Sequence, residues 1–188
     1  METLDAYIAA LRAGGVVACA TETLFGLLAD ARSAEAVARV VALKRRGSDP
    51  IALLAPDLAA VEALADGLDA RTRALATHYW PGPLTLIVRA RPGLPAPLLR
   101  DGTVGIRVPG PSDALTLVRA FGGPLTATSC NLSGQPAART DAEARAYFGD
   151  TLDAIVPGSA PGGAPSTIVD ATGPAPRVLR QGAITLAL

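Results

Sequence analysis

Short apolar runs, each closed off by glycine, proline or a polar cluster, recur along this chain and alternate with stretches of helical periodicity. Residues 16–20, 51–55, 84–90, 104–108 and 125–129 are too short for core helices and read as buried strands. Between them lie helix signals. Residues 3–13 form an amphipathic stretch stopped by Gly14 and Gly15. Ser33 reads as the N-cap of a helix from Ala34 to about Arg46. Asp57 and Asp69 cap two helices that end near Trp80, before the Pro81-Gly82-Pro83 break. Ser112 or Asp113 caps another, which ends at Gly122-Gly123, and Thr140 with Glu143 forms a capping box. Three short strands follow at 154–156, 167–170 and 177–179. Interspersed strands and helices define an α/β domain. The last three strands lie too close together for parallel crossovers, so the sheet should be mixed.

A chain of 188 residues suits one domain spanning 1–188, able to bury roughly 70% of its unfolded surface. Cys19 and Cys130 are too few for a disulfide framework and show no zinc spacing, which favours a reducing, cytoplasmic setting. The acidic, amphipathic N-terminus is unlike a signal peptide, and no apolar run reaches the roughly 20 residues of a membrane span. Formal net charge is zero, so no global field attracts nucleic acid, and an anionic ligand must meet a local cluster.

Sixteen arginines and one lysine, Lys44, carry the positive charge. Val37, Val40, Val41 and Lys44 share one helix face, so the lysine lies on the apolar side. Two roles fit: a snorkelling cation at the helix end, or an ammonium reaching an anion pocket that Arg46 could share. On strand 104–108, Thr103, Gly105 and Arg107 share a face that offers a hydroxyl, a gap and a guanidinium. Thr126 and Thr128 share a face of strand 125–129, which runs into the polar loop from Cys130 to Gly134. Such a loop is either an ordinary polar turn or a phosphate or nucleoside site. Thr21-Glu22-Thr23 follows the first strand in the same way, and Ser166 precedes a late one. The P-loop and dinucleotide fingerprints are absent, and His78 is the only histidine. An enzyme built from these residues would hold charged reactants and stabilise charge without covalent catalysis.

Seven ordered segments resemble the YrdC/TsaC family of threonylcarbamoyl-AMP synthases: ATETLFGL (20–27), LKRR (43–46), WPGPLT (80–85), VGIRVP (104–109), TSCNLSG (128–134), STIVD (166–170) and RQG (180–182). The resemblance implies an open, twisted, mostly mixed sheet with flanking helices around a deep, positively lined cleft. It implies a nucleotidyltransferase that joins L-threonine, bicarbonate or carbon dioxide, and ATP into threonylcarbamoyl-AMP and pyrophosphate, with Mg²⁺ held mainly by the ATP phosphates. A separate threonylcarbamoyl transferase machinery would pass the group to tRNAs that read codons starting with A. By resemblance, Thr21, Arg107 and Ser166 hold threonine, and Lys44 and Arg46 face the phosphates or carbamate as catalytic cations. Thr103, Thr128, Ser129, Cys130 (through its backbone), Asn131 and Arg180 line the nucleotide site, with Lys44 and Arg46 also touching ATP.

Four positions depart from the family pattern. Ala20 replaces a usual proline, Phe25 a tyrosine and Cys130 an alanine, and Leu54 stands near a threonine-contacting histidine of longer members. The alternative reading is a non-synthase module that binds nucleotide, tRNA or double-stranded RNA. The neutral charge and single lysine predict at most weak RNA affinity.

Overall fold

The computed structural model describes residues 3–45 and 49–186. Their helices are α1 (Leu4–Arg12), α2 (Ala34–Lys44), α3 (Leu58–Leu64), α4 (Ala70–Tyr79), α5 (Asp113–Phe121) and α6 (Asp141–Phe148). The strands are β1 (Val17–Ala20), β2 (Phe25–Leu28), β3 (Ala52–Leu54), β4 (Leu84–Arg89), β5 (Thr103–Arg107), β6 (Leu125–Ser129), β7 (Ala154–Ile155), β8 (Thr167–Asp170) and β9 (Arg177–Arg180). These nine strands make one sheet in the order β7-β1-β2-β6-β3-β5-β4-β8-β9. The sheet is mixed, as its closely spaced last strands require. β8 and β9 pair antiparallel, while β7 and β8 run parallel to their distant partners β1 and β4.

Local chemistry sets the helix starts. Ser33, Asp57, Asp69 and Ser112 each accept a hydrogen bond from a backbone N–H three residues on. Of the two candidates at α5, the cap is therefore Ser112. Thr140 accepts from the Glu143 N–H, and Glu143 reaches back to the Arg139 N–H, one residue before the N-cap. Helix α2 ends at Lys44, and Arg45 takes a left-handed conformation at φ 46°.

Strand β2 was not anticipated as a separate element. It pairs antiparallel with β1 across the Thr21–Leu24 turn, and its Phe25, Leu27 and Leu28 are fully buried. Helices α1 and α5 pack on each other and on β1, α6 packs against β1 and β7, and α4 lies against β4. Across the middle of the sheet, Leu27, Thr126, Leu53, Ile106, Leu86 and Val169 share one face through the register of their strands. All six are completely buried. The opposite face carries Gly26, Ala127, Ala52 and Gly105 in adjacent strands. Four such small residues in a row cannot fill the space above the sheet, and that space is the site.

Candidate functional site

The cavity above this face has a volume of about 410 Å³. Its floor includes Gly26, Ala52 and Ala127, and its walls include Thr21, Thr85, Arg107, Thr128, Ser129, Asn131, Ser166 and Arg180. Gly105 shares this face of the sheet but is not itself part of the lining. A methyl group there would come within 3.4 Å of both Ala52 Cβ and Thr85 Cγ2. The space expected beside Arg107 is therefore narrow, closed in by the neighbouring strands.

One end of the site is built around Lys44. The α2 periodicity buries Val37, Val40 and Lys44 on one face, with the lysine only 3% exposed. Its Nζ donates to the Ser129 carbonyl at 2.6 Å and to Asn131 Oδ1 at 2.7 Å, with Ser129 Oγ at 3.3 Å. Ser129 Oγ donates to Asn131 Oδ1, and Asn131 Nδ2 donates to the Gln135 carbonyl. The Ser133 N–H returns to the Lys44 carbonyl, so the helix end and the loop after β6 lock together. Lys44 is therefore no snorkelling surface cation. It does not itself line the cavity but anchors two side chains that do. Arg46, expected beside it, lies outside the described residues.

The other end is built around two arginines. Arg107 ends β5, is 7% exposed and faces the cavity. Its Nη1 lies 3.2 Å from Glu22 Oε1. Burial lowers its pKa, Glu22 opposes that effect, and nearby Arg180 adds to it. Partial burial likewise lowers Arg180. Arg180 Nη2 and Nε donate to the Ser166 carbonyl at 2.8 and 3.2 Å, and Ser166 Oγ lies 2.9 Å from Thr85 Oγ1. The backbone at Gly182 passes so close to Pro165 and Ser166 that a side chain there would collide with their backbone atoms. Glycine at this position lets the strand carrying Arg180 close onto Ser166. Two guanidiniums held near each other in a partly dry wall call for an anion.

Thr21 lines the cavity, but its hydroxyl also builds the β1–β2 turn. It donates to the Leu24 carbonyl at 2.7 Å and accepts from the Thr23 and Leu24 N–H groups.

Three expectations change. Thr103 does not line the cavity. It starts β5 on the same face as Gly105 but two residues earlier, and its hydroxyl donates to the Arg100 carbonyl. Cys130 does not line it either: its N–H donates to the Phe25 carbonyl and its own carbonyl accepts from the Ala138 N–H. Burial pushes its thiol up to about 12, although Lys44 pulls the other way. Finally, the open face of β6 is that of Ala127 and Ser129. Thr126 points to the core, where its hydroxyl donates to the Leu27 carbonyl and accepts from the Ala29 N–H. The hydroxyl alternation was read correctly, but alternation alone does not say which face is open. Thr128 still reaches the cavity wall.

Glu22 and Thr85 are the residues that motif reading passed over. Both sit inside quoted segments, and only cross-strand packing brings them to Arg107 and Ser166.

The sheet order, the cavity over one stripped face and its cationic wall define an α/β domain of the YrdC-like fold. The sequence model of the Sua5/YciO/YrdC family, described as telomere recombination, matches residues 9–182, and the chain belongs to this family. It is 42% identical over 154 residues to a threonylcarbamoyl-AMP synthase of Cellvibrio japonicus, covering 80% of each chain. It is 38% identical to a Bacillus subtilis protein of the same name, over 94% of this chain and 52% of that one. The crystal structure of P. abyssi Sua5 complexed with L-threonine superposes with a TM-score of 0.90 at 31% identity. That match covers 95% of this chain and 54% of the P. abyssi chain, so the protein spans about half of that relative's length.

Proposed function

We propose that this protein is a threonylcarbamoyl-AMP synthase. The observation that carries the reading is one cavity with a paired-arginine wall at one end and a lysine-anchored Ser129–Asn131 loop at the other. An amino acid brings a carboxylate and ATP brings phosphates, so two anions need two separate cationic grips in one space. Family membership and the names of the relatives point to the same reaction.

In this mechanism Arg107 receives the threonine carboxylate, and Ser166 and Thr21 bound the rest of the amino acid. The threonine nitrogen bonds to the carbon of carbon dioxide and gives up a proton to solvent, leaving a carbamate. A carbamate oxygen then bonds to the α-phosphorus of ATP while the bond to pyrophosphate breaks. No protein nucleophile is needed. Lys44 acts electrostatically from behind the cavity wall, offsetting the charge that moves to the departing pyrophosphate, and holds Ser129 and Asn131 in place. Among the described residues no cluster of three His, Cys, Asp or Glu side chains stands ready for a metal. Mg²⁺ would arrive with ATP, held by its phosphates, with hydroxyl and amide oxygens of the wall beside it. Threonylcarbamoyl-AMP is a mixed anhydride, and a separate transferase passes its acyl group to tRNA.

The test is pyrophosphate release, with mass spectrometry of the nucleotide product. Release should require ATP, Mg²⁺, bicarbonate and L-threonine together, and yield threonylcarbamoyl-AMP. Rapid ATP breakdown without threonine would identify an ATPase instead. RNA binding without any such product would favour the non-synthase module.

A further inference from the structure

Glu22 sits against the site, and the proposed reaction leaves it without a task. Its carboxylate is 13% exposed, and neither oxygen receives a hydrogen bond, although both are buried. Its contact with Arg107 is a charge pair at 3.2 Å without hydrogen-bond alignment. Glu22 is not part of the cavity lining, whereas Arg107 is. The aliphatic stem of Glu22 is seated against Gly110, where a methyl group would come within 3.1 Å of its Cγ. The chain thus holds a carboxylate against the guanidinium from outside the cavity. A buried carboxylate with no aligned donor is costly. It is tolerated here beside a guanidinium that, with Arg180 nearby, would otherwise be too strong a trap for anions. Two guanidiniums and one carboxylate leave a single net positive charge, the complement of one carboxylate.

We propose that Glu22 is a positioning residue that competes with the amino-acid carboxylate for Arg107. It lowers the intrinsic grip of Arg107 on carboxylates, so that only an acid also contacted by Thr21 and Ser166 is retained. This rests on the threonine site assigned above. Binding energy that tightens ground state and transition state alike does not raise kcat, so a counter-ion that weakens it sacrifices no turnover at saturating threonine.

The experiment uses Glu22→Gln, which keeps the shape and removes the charge. L-Threonine should bind roughly tenfold more tightly, the scale of one unscreened charge a few ångströms from the ligand. Acetate should gain at least as much, and L-threoninol, a cation without the carboxylate, should show no gain. The KM for threonine should fall without any rise in kcat. A merely structural role would weaken all three ligands alike. Unchanged or weaker threonine and acetate binding in a folded variant overturns the proposal. If Glu22→Gln does not fold, Glu22→Asp retains the charge but draws it back, and the gain should be about two- to threefold. No gain there also overturns it. The two readings fail separately. A wild-type protein that ignores threonine refutes the assigned function, while acetate still reports on Glu22. A wild type that makes the adenylate, with no gain in the variants, refutes the Glu22 proposal alone.

Discussion

The two ends of the cavity hold their cations in opposite ways. At the Lys44 end the protein supplies hydrogen-bond acceptors at 2.6 and 2.7 Å, and the loop after β6 closes on itself. At the Arg107 end the partner is a carboxylate at 3.2 Å without alignment, and a second guanidinium stands nearby. The first end is pre-organised, so its geometry costs nothing to set at the moment of reaction. At the second, Arg180 is hydrogen-bonded to Ser166, but Arg107 is held by charge alone and can exchange its partner for a ligand. A fixed grip suits charge that develops during a reaction. An exchangeable grip suits a substrate that must enter and leave.

The largest effect should come from the fixed end. Lys44→Ala should lower turnover by about 10²–10³-fold, the usual loss when one pre-organised donor is removed. ATP and threonine affinities should change less, and steady-state kinetics beside calorimetry separates the two. Lys44→Arg should also be poor, because a side chain 3% exposed leaves little room for a planar fork in place of a compact ammonium. Full activity of Lys44→Arg would break the contrast, since the lysine would then be an interchangeable charge.

The exchangeable end should respond in binding. Arg107→Ala should weaken threonine by about 1.5–3 kcal/mol, the scale of a charged hydrogen bond, and Arg107→Lys should recover only part of it. The substitution strands Glu22, so thermal unfolding should be measured alongside the calorimetry. Unchanged threonine affinity in folded Arg107→Ala would move the carboxylate site elsewhere.

The effect least visible near neutral pH, because it is confined to alkaline conditions, concerns Cys130, packed behind the fixed end. Its folded pKa of about 12 lies above the ordinary value of 9.0, and burial is the main cause. The folded state therefore keeps a proton that the unfolded state releases. The stability this contributes is complete below about pH 9 and is lost as the pH rises through about 12. The loss should not exceed about 1.4 kcal/mol per pH unit for one thiol. Cys19, pushed up chiefly by burial, acts with the same sign. Denaturant unfolding across this range should show a shallower decline for Cys130→Ala. An identical decline would mean that the thiol is reached by water and the fixed end is less sealed than it looks.

The inward placement of Lys44 was legible because helical phase is local: residues three and four apart share a face whatever the fold. The same holds for Arg107 and Gly105, which alternate along one strand. The N-caps were legible too, since a Ser or Asp three residues before a free N–H needs no distant partner. The Thr126 face was not legible, because two faces of a strand look alike until something packs on one of them. β2 was hidden because Leu24–Leu28 reads as the tail of a motif until β1 and β6 pair with its two edges.

By itself, the sequence determined the element types, the mixed sheet, the inward lysine and, through seven ordered segments, the family. These depend on short-range spacing, which the chain carries in one dimension. Tertiary structure alone decided which strand face stays open and that Thr103 and Cys130 fall outside the cavity. It also decided that Glu22 meets Arg107 across 85 positions of chain, counted from their numbers in the ion pair. Those outcomes depend on which strands lie side by side. In this sheet the neighbours of β6 are β2 and β3, neither adjacent to it in the chain.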